Sequence, residues 1–184
     1  MKRLIVAVSG ASGAIYGIRL LETLSKEKVE THLILSKWAH ATIKTETDYT
    51  VEEIKKKANY SYDGEDLASS ISSGSFLFQG MVIIPCSMKT LAAVACGYSD
   101  NLITRAADIS IKEGRKLILV PRETPLNAIH LENMLKLSRL GVVILPPMPA
   151  FYIKPSDIDD LINHTIGKIL DHLNIDNNLY QRWK

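Results

Sequence analysis

This chain of 184 residues predicts a doubly wound, three-layer α/β/α fold with a mainly parallel sheet, on three observations. Short apolar runs bounded by turn residues recur along it. Stretches with helical apolar spacing lie between them, and the alternation continues from end to end. Continuous apolar runs suit strands covered on both faces, and alternating strands and helices imply right-handed crossovers that place helices on both sides of one sheet.

The runs are Leu4–Val8, Val29–Leu35, Met81–Ile84, Leu117–Val120 and Val142–Leu145. None approaches the ~18 apolar residues of a membrane span. The first follows Met1-Lys2-Arg3 and ends in a glycine turn, so it reads as a first strand rather than a signal-peptide core. Helical spacing follows in Ala14–Lys26, where Ile15, Ile18, Leu21 and Leu24 recur, and in Thr90–Cys96, Asn101–Glu113 and Ala128–Arg139. The last helix is expected over Asp157–Asn174. Residues 59–75, with Asp63-Gly64 and several serines, read as a polar, mobile insertion, and 175–184 as a C-terminal tail. No repeat or linker divides the chain, so 1–184 is expected to form one domain.

Composition excludes several function classes. Hydrophobic residues make up 46%, which excludes a disordered chain, and a net charge of +2 gives no general nucleic-acid surface. A cytoplasmic location is expected. Cys86 and Cys96 are too few for a disulfide framework or a zinc site. The five histidines have no metal-ligand spacing, so no metal is expected.

In a doubly wound sheet, ligands bind beyond the carboxyl ends of the strands. The loops after the apolar runs therefore carry the chemistry. Ser9-Gly10-Ala11-Ser12-Gly13-Ala14 joins the first strand to the first helix, and its glycines admit a ligand close to backbone N–H groups. It matches neither G-x-G-x-x-G nor the P-loop pattern, so a monophosphate fits better than a dinucleotide; a plain turn with Ser12 as helix cap is the lesser alternative. Ser87-Met88-Lys89-Thr90 offers hydroxyls, an ammonium and helix N–H groups for a second anion. Arg105, Asp108 and Lys112 share one helix face, either as a wall for a phosphate leaving group or as a solvated ion-pair face. Arg122-Glu123, in a loop stiffened by Pro121 and Pro125, can hold a phosphate beside a proton donor, or be a turn with surface charges. Glu46 lies beyond the second strand. No G-x-S-x-G elbow is present, which argues against hydrolysis.

Taken together, Val8–Gly17, Thr45-Glu46-Thr47, Pro85–Ala92, Asn101–Asp108, Leu119–Pro125, His130–Met134 and Pro149–Tyr152 resemble the UbiX-type flavin prenyltransferases. The resemblance covers nearly the whole chain and is least diagnostic over 50–75. It implies a flavodoxin/Rossmann-like fold. It also implies a reaction in which dimethylallyl monophosphate alkylates reduced FMN at N5 and C6, the product passing to a UbiD-type decarboxylase. By motif it implies FMN contacts at Gly10, Ala11, Ser12, Ser36, Ser87, Met88, Lys89, Thr90 and Arg122. Tyr152 and Lys168 would hold the prenyl phosphate with Arg105 and Lys112. Glu123 would transfer protons with Glu46 nearby, and Ser12 would lie close to N5. It also implies a trimer-based dodecamer with sites completed by neighbouring chains, consistent with the apolar Ile129, Leu131, Met134, Leu135 and Leu137 on one helix.

Two other readings compete. A flavin-dependent cysteine decarboxylase of the phosphopantothenoylcysteine type needs an early histidine and a Pro-x-Met-Asn motif; His40 lies early, but Pro146-Pro147-Met148-Pro149 lacks the asparagine. A non-enzymatic flavin carrier would need no basic wall.

Overall fold

The computed structural model describes residues 2–183. Six strands form one sheet: β1 Lys2–Val8, β2 Val29–Leu35, β3 Tyr60–Asp63, β4 Gly80–Cys86, β5 Lys116–Pro121 and β6 Val143–Ile144. Seven helices surround it: α1 Ala14–Leu24, α2 Lys37–Glu46, α3 Val51–Lys55, α4 Met88–Cys96, α5 Leu102–Lys112, α6 Ala128–Arg139 and α7 Ile158–His172. The strand order is β3-β2-β1-β4-β5-β6, and every pairing is parallel. All five apolar runs are strands, and the sheet is wholly rather than mainly parallel.

Alternation along each strand divides the core in two. Leu4, Val6 and Val8 of β1 pack with Ile18, Leu21 and Leu24 of α1 and with Ile166, Ile169 and Leu170 of α7. Ile5 and Ala7 face the other way, toward Leu91 of α4, Ala106 and Ile109 of α5 and Leu137 of α6. Gly17 lets α1 lie close on the sheet, because a Cβ there would meet the Ile84 carbonyl oxygen at 2.7 Å.

The polar stretch 59–75 is more structured than its composition predicts. Tyr60–Asp63 pairs with His32–Leu35 as the edge strand, and Ile71 is fully buried. A cluster around buried His32 explains the departure: His32 Nδ1 meets Tyr62 Oη at 2.8 Å and its Nε2 meets Glu30 Oε1 at 2.8 Å, while its ring stacks on Tyr60. Tyrosine is a good strand former when one face packs, and this contact lies about thirty residues away in sequence, beyond local pattern reading. Helices α2 and α3 have few apolar residues and were also not foreseen.

Candidate active site

Strand order reverses between β1 and β4, so the loops leaving these strands diverge and open a crevice. Buried Ser9 ties the two loops together. Its Oγ donates to the Pro85 carbonyl at 2.8 Å and accepts the Ser87 N–H at 2.8 Å.

A cavity of about 450 Å³ occupies the crevice, within the usual size for a small-molecule cofactor. After β1 it is lined by Ser9 and Gly10, after β2 by Ser36, Lys37 and Trp38, and after β3 by Gly64 and Glu65. Ser87, Lys89, Thr90 and Ala93 follow β4, and Tyr98, Asp100, Asn101, Ile103 and Thr104 close the α4–α5 side. Three helices begin here, and each has a polar cap. Ser36 Oγ accepts the Ala39 N–H at 3.1 Å, Ser87 Oγ accepts that of Thr90 at 3.2 Å, and Asn101 Oδ1 accepts that of Thr104 at 3.0 Å. The remaining first-turn N–H groups make this rim receptive to an anion. Gly10 supplies the close approach: a Cβ there would collide with the Cβ of Trp38. The cavity therefore fits a flavin mononucleotide, with Trp38, Tyr98 and Ala93 as apolar surface and the capped turns for the phosphate and polar ring edge.

Of the expected FMN residues, Gly10, Ser36, Ser87, Lys89 and Thr90 line this cavity. Met88 instead packs against the core beneath α4. Ala11, Ser12 and Arg122 lie outside its lining, and Ser12 and Arg122 belong with Glu46. The glycine turn also differs from the simple capping reading. The N-cap of α1 is Gly13, at φ 98°, and it has no side-chain cap of its own. Glu46, at the end of α2, takes that role: its Oε2 accepts the N–H of Gly13 at 2.8 Å and of Ala14 at 3.1 Å. Partial burial pushes the Glu46 pKa up, but the Ser12 hydroxyl, the two amides and the charge of Arg122 outweigh it, holding the carboxyl below its usual range. Glu46 thus caps the helix N-terminus with a carboxylate that its neighbours stabilise. Arg122 and Glu123 follow β5 on an exposed loop; the Arg122 N–H bonds the Cys86 carbonyl at 3.2 Å, and Glu123 Oε1 accepts the Thr124 N–H at 3.1 Å.

The four residues expected to hold the prenyl phosphate do not come together within one chain. Arg105 and Lys112 lie on α5, whose core residues belong to one face of the sheet, while Lys168 lies on α7 across the other. Arg105 Nε donates to the Ser72 carbonyl at 3.1 Å, and its Nη1 pairs with Asp108 at 3.1 Å. Lys112, about 12 Å along α5 from Thr104 at helical rise, is not among the cavity's lining residues and pairs with Glu113 at 2.8 Å. The wall of four cations and hydroxyls expected from the sequence is therefore two separate pairs. Helical spacing places Arg105 and Lys112 on one face of α5 but says nothing of where α7 lies.

The second pair sits under the C-terminal tail. Tyr152 Oη meets His164 Nε2 at 3.1 Å, and the Trp183 ring stands edge-on to Tyr152 at 5.4 Å. His164 is edge-on to Tyr180 at 4.9 Å, and Lys168 Nζ lies 6.0 Å from that same ring. Asp171 fastens the tail, accepting from Tyr180 Oη at 2.7 Å and from both Arg182 nitrogens at 3.0 and 2.7 Å. The Arg182 guanidinium, with Tyr180 and Asn177, overrides burial and holds the Asp171 carboxyl down to about 2.

Sequence reasoning missed Trp38, Gly64, Glu65, Tyr98 and His164. Only Gly64 carried a local signal, as the glycine of a turn after a polar run. Among the described residues, no group of three or more His, Cys, Asp or Glu side chains could hold a metal ion, and no helix is long and apolar enough to cross a membrane.

Comparison with known proteins agrees with this architecture. The family model described as Flavoprotein matches residues 1–174. The flavin prenyltransferase UbiX of Methanocaldococcus jannaschii is 54% identical over 181 residues, covering 98% of each chain. The mitochondrial flavin prenyltransferase of Saccharomyces cerevisiae is 52% identical, covering 100% of this chain and 76% of the relative. Two solved structures superpose closely. A UbiX protein in complex with FMN and dimethylallyl pyrophosphate gives TM-score 0.98 at 51% identity, covering 100% of this chain and 97% of the other. A dodecameric FMN-dependent UbiX-like decarboxylase from Escherichia coli O157:H7 gives 0.97, also at 51%, covering 99% of each. Peptidyl-cysteine decarboxylase EpiD, at 18% identity and TM-score 0.70, shares the fold. On the capped cavity at the strand reversal and on these identities across the whole chain, the protein belongs to the UbiX-type flavin prenyltransferase family.

Proposed function

We propose that this protein transfers a dimethylallyl group from dimethylallyl monophosphate to reduced FMN, and that the prenylated flavin serves a UbiD-type decarboxylase. The observation that carries the reading is the cavity at the β1/β4 reversal, with its capped helix N-termini and the close approach at Gly10. Gly10, Ser36, Ser87, Lys89 and Thr90 would hold FMN, which, reduced, supplies an electron-rich ring at N5 and C6. The chain's own task is to bind, orient and exclude water, and to stabilise charge on the departing phosphate. Ser12, Arg122 and Glu46 form a polar wall beside the first turn, and Glu123 on the adjoining loop is the proton-transfer residue in this reading.

Two observations support assembly of a complete site from several copies, a dodecamer in this reading. Helix α6 leaves Ile129, Leu131 and Leu135 more than half exposed, large apolar side chains left uncovered among the described residues. The two basic pairs point from opposite sides of the sheet, so the Arg105/Lys112 pair of one copy would meet the Tyr152/Lys168 pair of another.

The test is anaerobic incubation with reduced FMN and dimethylallyl monophosphate, with the flavin then weighed by mass spectrometry. A flavin heavier by one C5 unit is expected. Unmodified FMN from correctly assembled protein would sink the reading.

A further inference from the structure

His164, hydrogen-bonded to Tyr152, has no task in the reaction as described so far. Breaking the allylic carbon–oxygen bond leaves both electrons on the phosphate oxygen. A monophosphate ester that binds as its dianion would leave as a fully deprotonated trianion, a poor leaving group near neutral pH. A cation such as Lys168 lowers that cost through charge, but a proton removes it.

We infer that His164 is a positioning residue that supplies this proton through Tyr152, whose hydroxyl hands its own proton to the departing phosphate. The inference rests on the proposed prenyl transfer and on Tyr152 as a phosphate contact.

Geometry supports it in two ways. His164 Nε2 lies 3.1 Å from Tyr152 Oη, so one proton can be shared between them. Tyr152 also lines a small surface cleft with Gln181, Arg182 and Trp183, so an anion at its hydroxyl would lie among the groups of the tail. The surroundings disfavour the His164 imidazolium. Burial pushes its pKa down and Lys168, one turn on, pushes it further. Around the ring stand Tyr152 from the 151–153 turn, Tyr180 from the tail, and Lys168 on its own helix. Arg182 and Asp171 neutralise each other behind Tyr180, and on α1, packed against α7, Arg19 is paired with Asp159 and Asn163. A phosphate dianion at Tyr152 and Lys168 supplies the negative charge that this ring of groups lacks. It draws a proton onto His164 from solvent.

The step balances. The carbon–oxygen bond breaks, its electron pair stays on phosphate, and the allylic carbon is taken by the flavin nucleophile. Phosphate gains the Tyr152 hydroxyl proton and leaves as the hydrogen phosphate dianion. Tyr152 regains a proton from the His164 imidazolium, which ends neutral.

The experiment compares the parent, His164→Gln and Tyr152→Phe as FMN-loaded assemblies. Gln keeps a hydrogen-bonding group near Nε2 but cannot carry the proton. In single-turnover prenylation the parent rate is expected to fall as pH rises through the His164 pKa of the complex. His164→Gln should be about tenfold slower at low pH with that dependence gone, and Tyr152→Phe should be slower still. A separate readout needs no turnover: sulfate, which does not titrate near neutral pH, is bound calorimetrically in buffers of different ionisation heat. Proton uptake is expected for the parent and not for His164→Gln. A parental pH profile in His164→Gln, or sulfate binding without proton uptake in the parent, overturns the inference even if prenylation proceeds. An enzyme that prenylates nothing while His164 still takes up a proton with sulfate would instead count against the proposed function.

Discussion

The cavity at the strand reversal and the cluster under the C-terminal tail are built in different ways. The cavity is made by turns whose polar side chains are already hydrogen-bonded within the chain: Ser9 bridges two loops, and Ser36, Ser87 and Asn101 each cap a helix. Nothing need move for a ligand to find donors there. The tail cluster is made by side chains from elements far apart in sequence, with aromatic rings stacked edge to face and one carboxylate, Asp171, fastening Tyr180 and Arg182. One region is a preformed cavity; the other is, on the proposed function, a half-site that a neighbouring copy completes. On the proposed function, that difference makes flavin binding and leaving-group chemistry separable.

Four perturbations break or sharpen that comparison. The largest effect is expected at Lys168. Removing one charge-assisted contact to a departing phosphate costs ~2–4 kcal/mol of barrier, on the order of a hundredfold or more in rate. Single-turnover kinetics of Lys168→Ala should show it while FMN affinity stays at the parent value. Equal losses of both would mean that the two regions are one.

Gly10→Ala probes the cavity. The new Cβ meets the first turn of α2 rather than a flexible side-chain tip, so overpacking of about 2 kcal/mol, roughly thirtyfold in FMN Kd, is expected by fluorescence titration. An unchanged Kd would show that α2 yields freely.

Ser9→Ala removes the side-chain acceptor of the Ser87 N–H and leaves the buried Pro85 carbonyl with the Ser9 N–H at 3.2 Å. About 1–2 kcal/mol of stability should be lost in urea unfolding. Since Ser9 lines the cavity floor, a weaker FMN fit should accompany the loss.

Asp171→Asn is the mildest. The Asp171 pKa is depressed to about 2, so its contribution is fully present above the ordinary carboxylate range near 4 and is lost as pH falls toward 2. The group is largely solvent-screened, so about 1 kcal/mol is a fair magnitude. Faster proteolysis of the tail is the expected readout in the variant at neutral pH, and in the parent only below pH ~3. A tail equally protected in both would remove Asp171 as its fastener.

How much of this was legible in the sequence follows the same division. The strands at Leu4–Val8 and Val29–Leu35, and the turns Ser9–Ala14 and Ser87–Thr90, are local patterns, and each lies where its pattern puts it. Edge strand β3 was hidden because Tyr60 and Tyr62 look like part of a polar stretch until His32 packs on them. Trp38 gave no signal, since its importance comes from Gly10 opposite it. Arg105 and Lys112 were correctly placed on one helix face, yet the phosphate wall they were to share with Tyr152 and Lys168 required knowing which side of the sheet each helix covers. Chain-distant geometry of that kind leaves no trace in residue spacing.

The claim that the catalytic site is divided between copies is tested most directly by subunit mixing. Lys112→Ala chains and Lys168→Ala chains, each slow alone, are dissociated, combined and reassembled. If the basic pairs meet across an interface, some mixed assemblies contain a site with both lysines intact, and prenylation rises well above that of either variant alone. Activity no greater than the average of the two, in assemblies shown to be mixed by mass spectrometry, would contradict the account.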